Sequence, residues 1–166
     1  MRTVADLKAR VCAEIDRRKG EIVAISEHIM KHPESGYREV RTAEFVAGWF
    51  RRMGLECQEG LALTGVKTRL RCRSSGPTVA VLGELDSLIV GEHPLADPKT
   101  HAAHACGHNA QVASMIGAGM GCRRSWTSSM ATSCSSPCRP RSTSRWSGAS
   151  ASGSRGRSSS WWARRS

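Results

Sequence analysis

Three histidines and one cysteine lie within eight consecutive residues, at His101, His104, Cys106 and His108. Neutral imidazole and deprotonated thiol are the side chains that bind zinc-like transition metals most readily. A single glycine separates Cys106 from His108, so one loop can turn both side chains towards the same ion. The spacing favours a metal site, and the alternative is that these residues only cap a helix and pack a loop.

Two acidic residues precede this cluster. Glu84 and Asp86 follow the apolar run of residues 78–83, which is typical of a strand buried in a parallel sheet. In open α/β sheets, ligands collect at the carboxyl ends of the strands. We therefore expect Asp86 either to bind the ion directly or to orient one of its imidazole ligands.

Apolar periodicity predicts the elements that must position these residues. The predicted elements are one long helix over residues 4–30 or two helices joined near Gly20, a helix over 42–53 that ends at Gly54, a strand near 55–57, a hairpin or strand pair over 65–72, the buried strand 78–83, and a helix from 111 to about 120. Helices followed by edge strands and a buried strand predict an α/β sandwich.

The basic charge is confined to the C-terminal part. Residues 122–166 carry nine of the 25 Lys and Arg residues and contain no Asp, Glu or His, whereas residues 1–121 are close to neutral. Residues 122–166 also lack Leu, Ile, Val, Phe and Tyr, so they cannot bury enough apolar surface to offset chain entropy. We expect a globular part over 1–121 and a disordered Arg/Ser-rich tail over 122–166.

The N-terminus carries charged residues where a signal peptide would have an apolar segment, and no apolar run approaches the ~20 residues that cross a bilayer. The seven cysteines are irregularly spaced. These features predict a reduced, cytoplasmic protein without a membrane partner, with Cys12, Cys57 and Cys72 as buried thiols.

Several motifs resemble the M20 metallopeptidase family. Gly-Glu-Leu-Asp at residues 83–86 and His-Ala-Cys-Gly-His-Asn-Ala at 104–110 are similar to its amidohydrolase subfamily, which includes aminobenzoyl-glutamate and hippurate hydrolases and aminoacylase-1-like proteins. Residues 32–39, beginning His-Pro-Glu, resemble its N-terminal signature, and Ala-Asp-Pro at 96–98 fits the aminobenzoyl-glutamate hydrolase type. The resemblance covers residues 1–121. It implies the N-terminal part of a three-layer α/β/α zinc-peptidase-like catalytic domain.

The resemblance also implies a chemistry. Such enzymes hold two divalent ions, Zn or Mn, and a water that bridges them attacks a small amide or dipeptide-like substrate with a glutamate as general base. By position, Cys106 and His108 resemble the first two metal ligands, and Asp86 resembles the aspartate that orients the site. Members of the family are often homodimers.

The remaining residues of the motifs are expected to play supporting roles. His101 and His104 are predicted to be structural or peripheral. Asn109 stands where the family commonly has Asp, so it is also placed at the periphery. Glu34 and Glu39 are interpreted as scaffold residues rather than catalysts.

The resemblance implies further residues that this chain lacks. The family's general base belongs to a Glu-Glu pair, and later histidines complete its site, but residues 122–166 contain neither residue type. Codons that encode residues 130–141 can, in a shifted frame, encode Gly-Asp-Val-Val-Leu-Phe-Ala-Val-Pro-Ala-Glu-Glu. We therefore hypothesise a frameshift near residues 121–122, and we expect the 166-residue chain to be inactive.

Two other classes of function remain open from the sequence. The Arg- and Trp-containing tail could bind nucleic acid, although any segment of this charge binds polyanions weakly at low salt. Cys106 and His108 could instead form a mononuclear zinc or interaction module. Metal analysis with and without Cys106→Ser separates that module from an incomplete enzyme.

Overall fold

The computed structural model describes residues 3–71, 77–126 and 133–134. In chain order, the elements of this part are α1 (Val4–Arg17), α2 (Lys19–Lys31), α3 (Val40–Arg52), β1 (Cys57–Leu61), β2 (Gly65–Thr68), β3 (Thr78–Val79), β4 (Leu88–Ile89), β5 (Ala102–Ala103), α4 (His108–Trp126) and β6 (Ser133–Cys134). The described part thus contains both helices and short strands, which agrees with the predicted α/β class.

The N-terminal helical segment consists of two helices that meet at Arg18 rather than at Gly20. Arg18 leaves the helical conformation with φ −104° and ψ 11°. Thr3 begins α1 through a reciprocal cap, because its Oγ1 accepts from the backbone N–H of Asp6 while the Asp6 carboxylate accepts from the N–H of Thr3. The prediction of two joined helices is confirmed, with the junction two residues earlier.

Helix α4 lies against α1 and α2 and carries much of the core. The core cluster contains Ile25, Ile29, Val46, Phe50, Met53, Val112, Ala113, Ile116 and Met120. Gly117 permits this close packing, because a Cβ at that position would lie 2.9 Å from Cδ1 of Ile22. A glycine that lowers helix propensity thus lets two helices approach each other.

Helix α3 and the following strands match their predictions closely. The helix predicted over 42–53 is observed at Val40–Arg52, and Gly54 has the positive φ of 65° expected of a residue that ends a helix. Strands β1 and β2 pair antiparallel in one hairpin, so residues 65–68 pair with the strand predicted near 55–57 and not with the rest of 65–72. Both strands contact α3.

The buried strand predicted over residues 78–83 is wrong. Of residues 78–83, only Thr78–Val79 form a strand. This strand pairs in parallel with the two residues of β6. Val79 is 52% exposed and Leu82 is 73% exposed. An apolar strand is buried only when layers cover both faces of its sheet, and the described elements do not cover this segment.

The prediction of buried cysteines is also corrected. Cys12 is exposed and Cys57 is only half-buried, whereas Cys72 lies outside the described residues. Cys12 sits on the solvent side of α1, where the helical period alone does not identify the buried face.

The carboxylate of Glu34 ties the segment after α2 to the start of α3. It accepts hydrogen bonds from the backbone N–H and Oγ1 of Thr42, both at 2.8 Å, and from Nε of Arg41 at 3.0 Å. Burial opposes ionisation of this carboxyl, but the hydrogen bonds from Thr42 and Arg41 outweigh it and lower the pKa of Glu34. Glu39 is also structural, because its carboxylate accepts from Tyr37 and Thr64.

Glu34→Gln should lower the free energy of unfolding by about 1–2 kcal/mol at neutral pH, since a charged acceptor of several hydrogen bonds is replaced by a neutral one. Because folding lowers the pKa of Glu34, the unfolded chain binds more protons, so this stabilisation is present above the ordinary value of 4.5 and is lost as pH falls below it. Urea unfolding at several pH values measures both effects. The control Glu27→Gln removes an exposed carboxylate 3.9 Å from Lys31 and should change stability by less than about 0.5 kcal/mol. Equal losses in the two variants would contradict the prediction.

Two structural links hold residues 84–89 in place. Ser87 is buried and donates from both its backbone N–H (2.8 Å) and its Oγ (2.9 Å) to the carbonyl oxygen of Glu34. Strands β4 and β5 then pair antiparallel, Leu88 with Ala103 and Ile89 with Ala102. This small ribbon was not predicted, and it brings residues 84–86 next to the start of α4.

Helix α4 continues to Trp126, five residues beyond the predicted boundary at 121. Residues 127–132 and 135–166 lie outside the described part, so the disorder predicted for most of the tail stays a prediction. Among the described helices, none is both long and apolar enough to cross a membrane.

Candidate active site

The loop of residues 104–107 joins β5 to α4. It leaves the fully buried β5 and turns at Gly107, whose φ of 94° is in the region that favours glycine. The Gly107 carbonyl accepts from the backbone N–H groups of Ala110 and Gln111, so α4 begins at His108. This turn leaves the free thiol of Cys106 exposed and turns His108 inwards.

His108 lies between two acidic residues, with 16% of its side chain exposed. Its Nδ1 is 2.9 Å from the carbonyl oxygen of Asp86 and 3.1 Å from Oδ1 of the same residue. A carbonyl oxygen can only accept a hydrogen bond, so Nδ1 is the nitrogen that carries the proton. This bond fixes the ring orientation and leaves the Nε2 lone pair directed away from Asp86.

The Nε2 atom of His108 faces Oε2 of Glu84 at 3.0 Å. Two lone pairs at this distance repel each other unless a proton or a metal ion lies between them. Two neighbouring ligands at ~2.1 Å from one metal ion are separated by about 3 Å, so the pair has suitable donor chemistry and spacing for a shared ion. Glu84 is 64% exposed, and its backbone N–H is held by the Gln111 side chain.

The described residues do not complete such a site. They contain no group of three or more His, Cys, Asp or Glu side chains arranged to hold a metal ion. Structural zinc sites usually have four ligands, and catalytic sites have three protein ligands with one open position. The donors around His108 therefore fit a metal ion in kind but are too few to hold one fully, and two ions fit still less well.

His104 lies behind this loop with both ring nitrogens buried. Neither nitrogen forms a hydrogen bond within the described part of the chain. Burial, together with nearby His108, lowers the pKa of His104 although Asp86 acts in the opposite direction. His104 thus has no hydrogen-bonding role among the described residues, and its burial favours the neutral form of the ring.

Asn109 and His101 are held by contacts that serve the fold. The Asn109 side chain donates to Oγ of Ser26 at 3.0 Å and so ties α4 to α2. His101 is exposed with φ 57°, and its backbone closes the turn organised by Asp97. Asp97 accepts from the N–H groups of Lys99 and Thr100, and these bonds, first those from Thr100, lower its pKa.

Glu84 is the residue whose role sequence reasoning missed. Its spacing from Asp86 was visible, but only the ribbon of β4 and β5 shows that the two acidic residues approach opposite nitrogens of one imidazole. Gln111, which positions the Glu84 backbone, left no signal in the sequence beyond its place in α4.

The site is thus an oriented imidazole at the start of α4 that lies between two acidic side chains, and comparisons with known proteins show what the chain is similar to. No family model matches the chain. Thermostable carboxypeptidase 1 of Saccharolobus solfataricus is 33% identical over 116 residues, which are 68% of this chain and 30% of that protein. Hippurate hydrolase of Campylobacter jejuni is 31% identical over 101 residues, which are 59% of this chain and 26% of that enzyme.

Solved structures agree with these relatives. The Bacillus subtilis YXEP protein, a dinuclear metal-binding peptidase from the M20 family, has a TM-score of 0.58 at 26% identity and covers 64% of this chain and 31% of its own. A putative aminohydrolase from methicillin-resistant Staphylococcus aureus has a TM-score of 0.63 at 22% identity, which supports the fold alone. Over about two thirds of its length, the chain is thus similar to peptidases and amidohydrolases of the M20 type. It spans about 30% of the length of the carboxypeptidase relative.

Proposed function

We propose that this chain carries the first part of an M20 amidohydrolase active site, in which Cys106 and His108 bind a divalent metal ion, Zn or Mn, and Asp86 orients His108. The observation that carries the proposal is the position of His108, with Nδ1 held by Asp86 and Nε2 facing Glu84. A histidine metal ligand is usually oriented by a hydrogen bond at its other ring nitrogen, and Asp86 makes such a bond to Nδ1 of His108 while Nε2 lies 3.0 Å from Glu84.

The names of the relatives support a substrate class. They include a hippurate hydrolase and N-acetylcysteine deacetylases, whose names describe amides of acylated amino acids. We propose an N-acyl amino acid or aminobenzoyl-glutamate-type amide as the substrate of the complete site. The acidic side chains of Glu84 and Asp86 beside His108 favour a small-molecule partner of this kind over the phosphate backbone of a nucleic acid.

The proposal also limits the activity expected of this chain. The described residues supply too few donors for a complete metal site, and residues 122–166 contain no Asp, Glu or His. We therefore infer that the 166-residue chain binds metal through a partial site and does not catalyse hydrolysis by itself. The frameshift hypothesis accounts for the missing residues, and sequencing the gene on both sides of codon 121 tests it.

Cobalt binding tests the metal ligands directly. The chain titrated with Co2+ should develop thiolate-to-metal charge-transfer absorption, because Cys106 is an exposed thiol two residues from His108. Cys106→Ser should abolish that absorption, and His108→Gln should weaken Co2+ binding at least tenfold. Cys12→Ser removes another exposed thiol, on α1, and should leave the spectrum unchanged. An undiminished charge-transfer band in Cys106→Ser would refute the assignment.

A further inference from the structure

A pair of histidines stands at the end of α2, on a part of the chain that the proposed active site does not use. His28 lies in the last turn of α2, and His32 follows its final residue. Their ring centroids are 4.5 Å apart, with the planes inclined by 36°. His32 has left the helical conformation, with φ −129° and ψ 59°, so the contact between the rings rather than the helical repeat brings the two imidazoles together.

The hydrogen bond of His32 defines which of its nitrogens is free. Its Nδ1 lies 2.7 Å from the carbonyl oxygen of His28. Because a carbonyl only accepts, Nδ1 carries the proton, and Nε2 keeps its lone pair. The backbone N–H of His32 bonds to Ile29 instead, so the imidazole caps a helix carbonyl and is oriented in the way that metal-bound histidines usually are.

The ring of His28 is fixed from its other side. It stacks on Phe45 of α3, with centroids 4.1 Å apart and planes inclined by 17°. Neither ring nitrogen of His28 forms a hydrogen bond to another described residue, and the residue is exposed. Two imidazoles are thus held close together, and each has a ring nitrogen without a hydrogen bond. The stacking on Phe45 and the hydrogen bond of His32 already restrict both side chains, so binding an ion costs less side-chain entropy.

We propose that His28 and His32 form a second metal site, which chelates one borderline divalent transition-metal ion such as Cu2+, Ni2+ or Zn2+. Two cis nitrogen ligands at ~2.1 Å from an ion lie about 3 Å apart, a separation that rings at this centroid distance reach with small rotations. Water fills the remaining coordination positions. The order of affinity is Cu2+ over Ni2+ and Zn2+, while Mg2+, which requires oxygen ligands, does not bind.

Occupation of this site has a structural consequence. The ion links the last turn of α2 to the residue before Pro33, and the segment that follows leads to Glu34, whose carbonyl holds Ser87. Since the ion binds the folded chain through both imidazoles, it stabilises that state by mass action. Ni2+ should therefore raise the melting temperature, whereas Mg2+ should not.

The experiment uses the full 166-residue chain carrying Cys106→Ser and His108→Gln, with its thiols alkylated, so that the site of the proposed function is removed. Titration calorimetry with NiCl2 should detect one ion per chain. His28→Gln and His32→Gln should each weaken binding at least tenfold, because either change converts a chelate into a single ligand. The matched control His101→Asn removes an exposed imidazole from another loop and should change the affinity less than twofold.

A second measurement covers the case in which a variant does not fold. In the same chain with His93→Gln and His101→Asn, bound Cu2+ should give the electron paramagnetic resonance pattern of two equatorial nitrogens. A single nitrogen, or Ni2+ affinity that survives loss of either His28 or His32, overturns the proposal. Neither result depends on Cys106, so this proposal and the proposed active site are tested independently.

Discussion

The 166-residue chain should hydrolyse hippurate and N-acetyl amino acids no faster than a metal-containing buffer without protein. The site around His108 lacks ligands that would hold a metal ion fully, and the segment after residue 121 contains no Asp, Glu or His that could act as a base or ligand. Loss of a general base alone lowers a rate by ~10²–10⁴. With the ions also incompletely held, turnover should fall below detection. Release of free amino acid, followed over hours with Zn2+ or Mn2+ added, measures this.

The control for inactivity is a chain that gains the missing residues. If the segment after residue 121 is encoded in the shifted frame and continued to the length of the relatives, the frameshift hypothesis predicts an amidohydrolase with turnover in the ordinary range of about 1–10³ per second. Cys106→Ser in that longer chain should reduce the rate at least a hundredfold. Turnover in the ordinary range by the 166-residue chain would contradict the proposal. An inactive longer chain that folds and binds metal would remove the frameshift hypothesis alone.

Much of the helical framework could be predicted because its apolar period is regular. Residues 40–52 alternate buried and exposed positions with a helical repeat, and Gly54 marks the end, so α3 was located within two residues. The same reasoning misjudged residues 78–83, because periodicity identifies a segment that can be buried but not the layers that bury it. Val81 and Leu82 are apolar but lie exposed in the described part of the chain.

The site could be predicted in composition but not in geometry. The motif indicated Cys106 and His108, and the strand end indicated Asp86. That Glu84 faces the other nitrogen of His108 depends on the pairing of Leu88 with Ala103 and on the bond from Ser87 to Glu34, which joins residues 53 positions apart. Such long-range contacts leave no local pattern in a single sequence.

Ile116→Ala should cause the largest loss of stability among single substitutions in the described core, about 2–5 kcal/mol. Ile116 has no exposed surface and lies on α4 among side chains of α2 and α3. Neighbouring Gly117 already brings α2 so close that an added Cβ would lie 2.9 Å from Ile22. Helices packed this tightly cannot move inwards to fill the space left by the removed atoms, so most of the cavity should persist.

The chain spans about 30% of the length of its carboxypeptidase relative. The stability loss in Ile116→Ala tests whether this part has a packed core around α4. Val23→Ala is the matched control, because Val23 is an apolar residue of α2 that is 54% exposed, and its truncation should cost less than about 0.5 kcal/mol. Chemical denaturation followed by circular dichroism compares the two variants. If both lose the same small amount, the helices around Ile116 are not packed as a native core, and the partial site that α4 begins would lack the rigid support that metal binding needs.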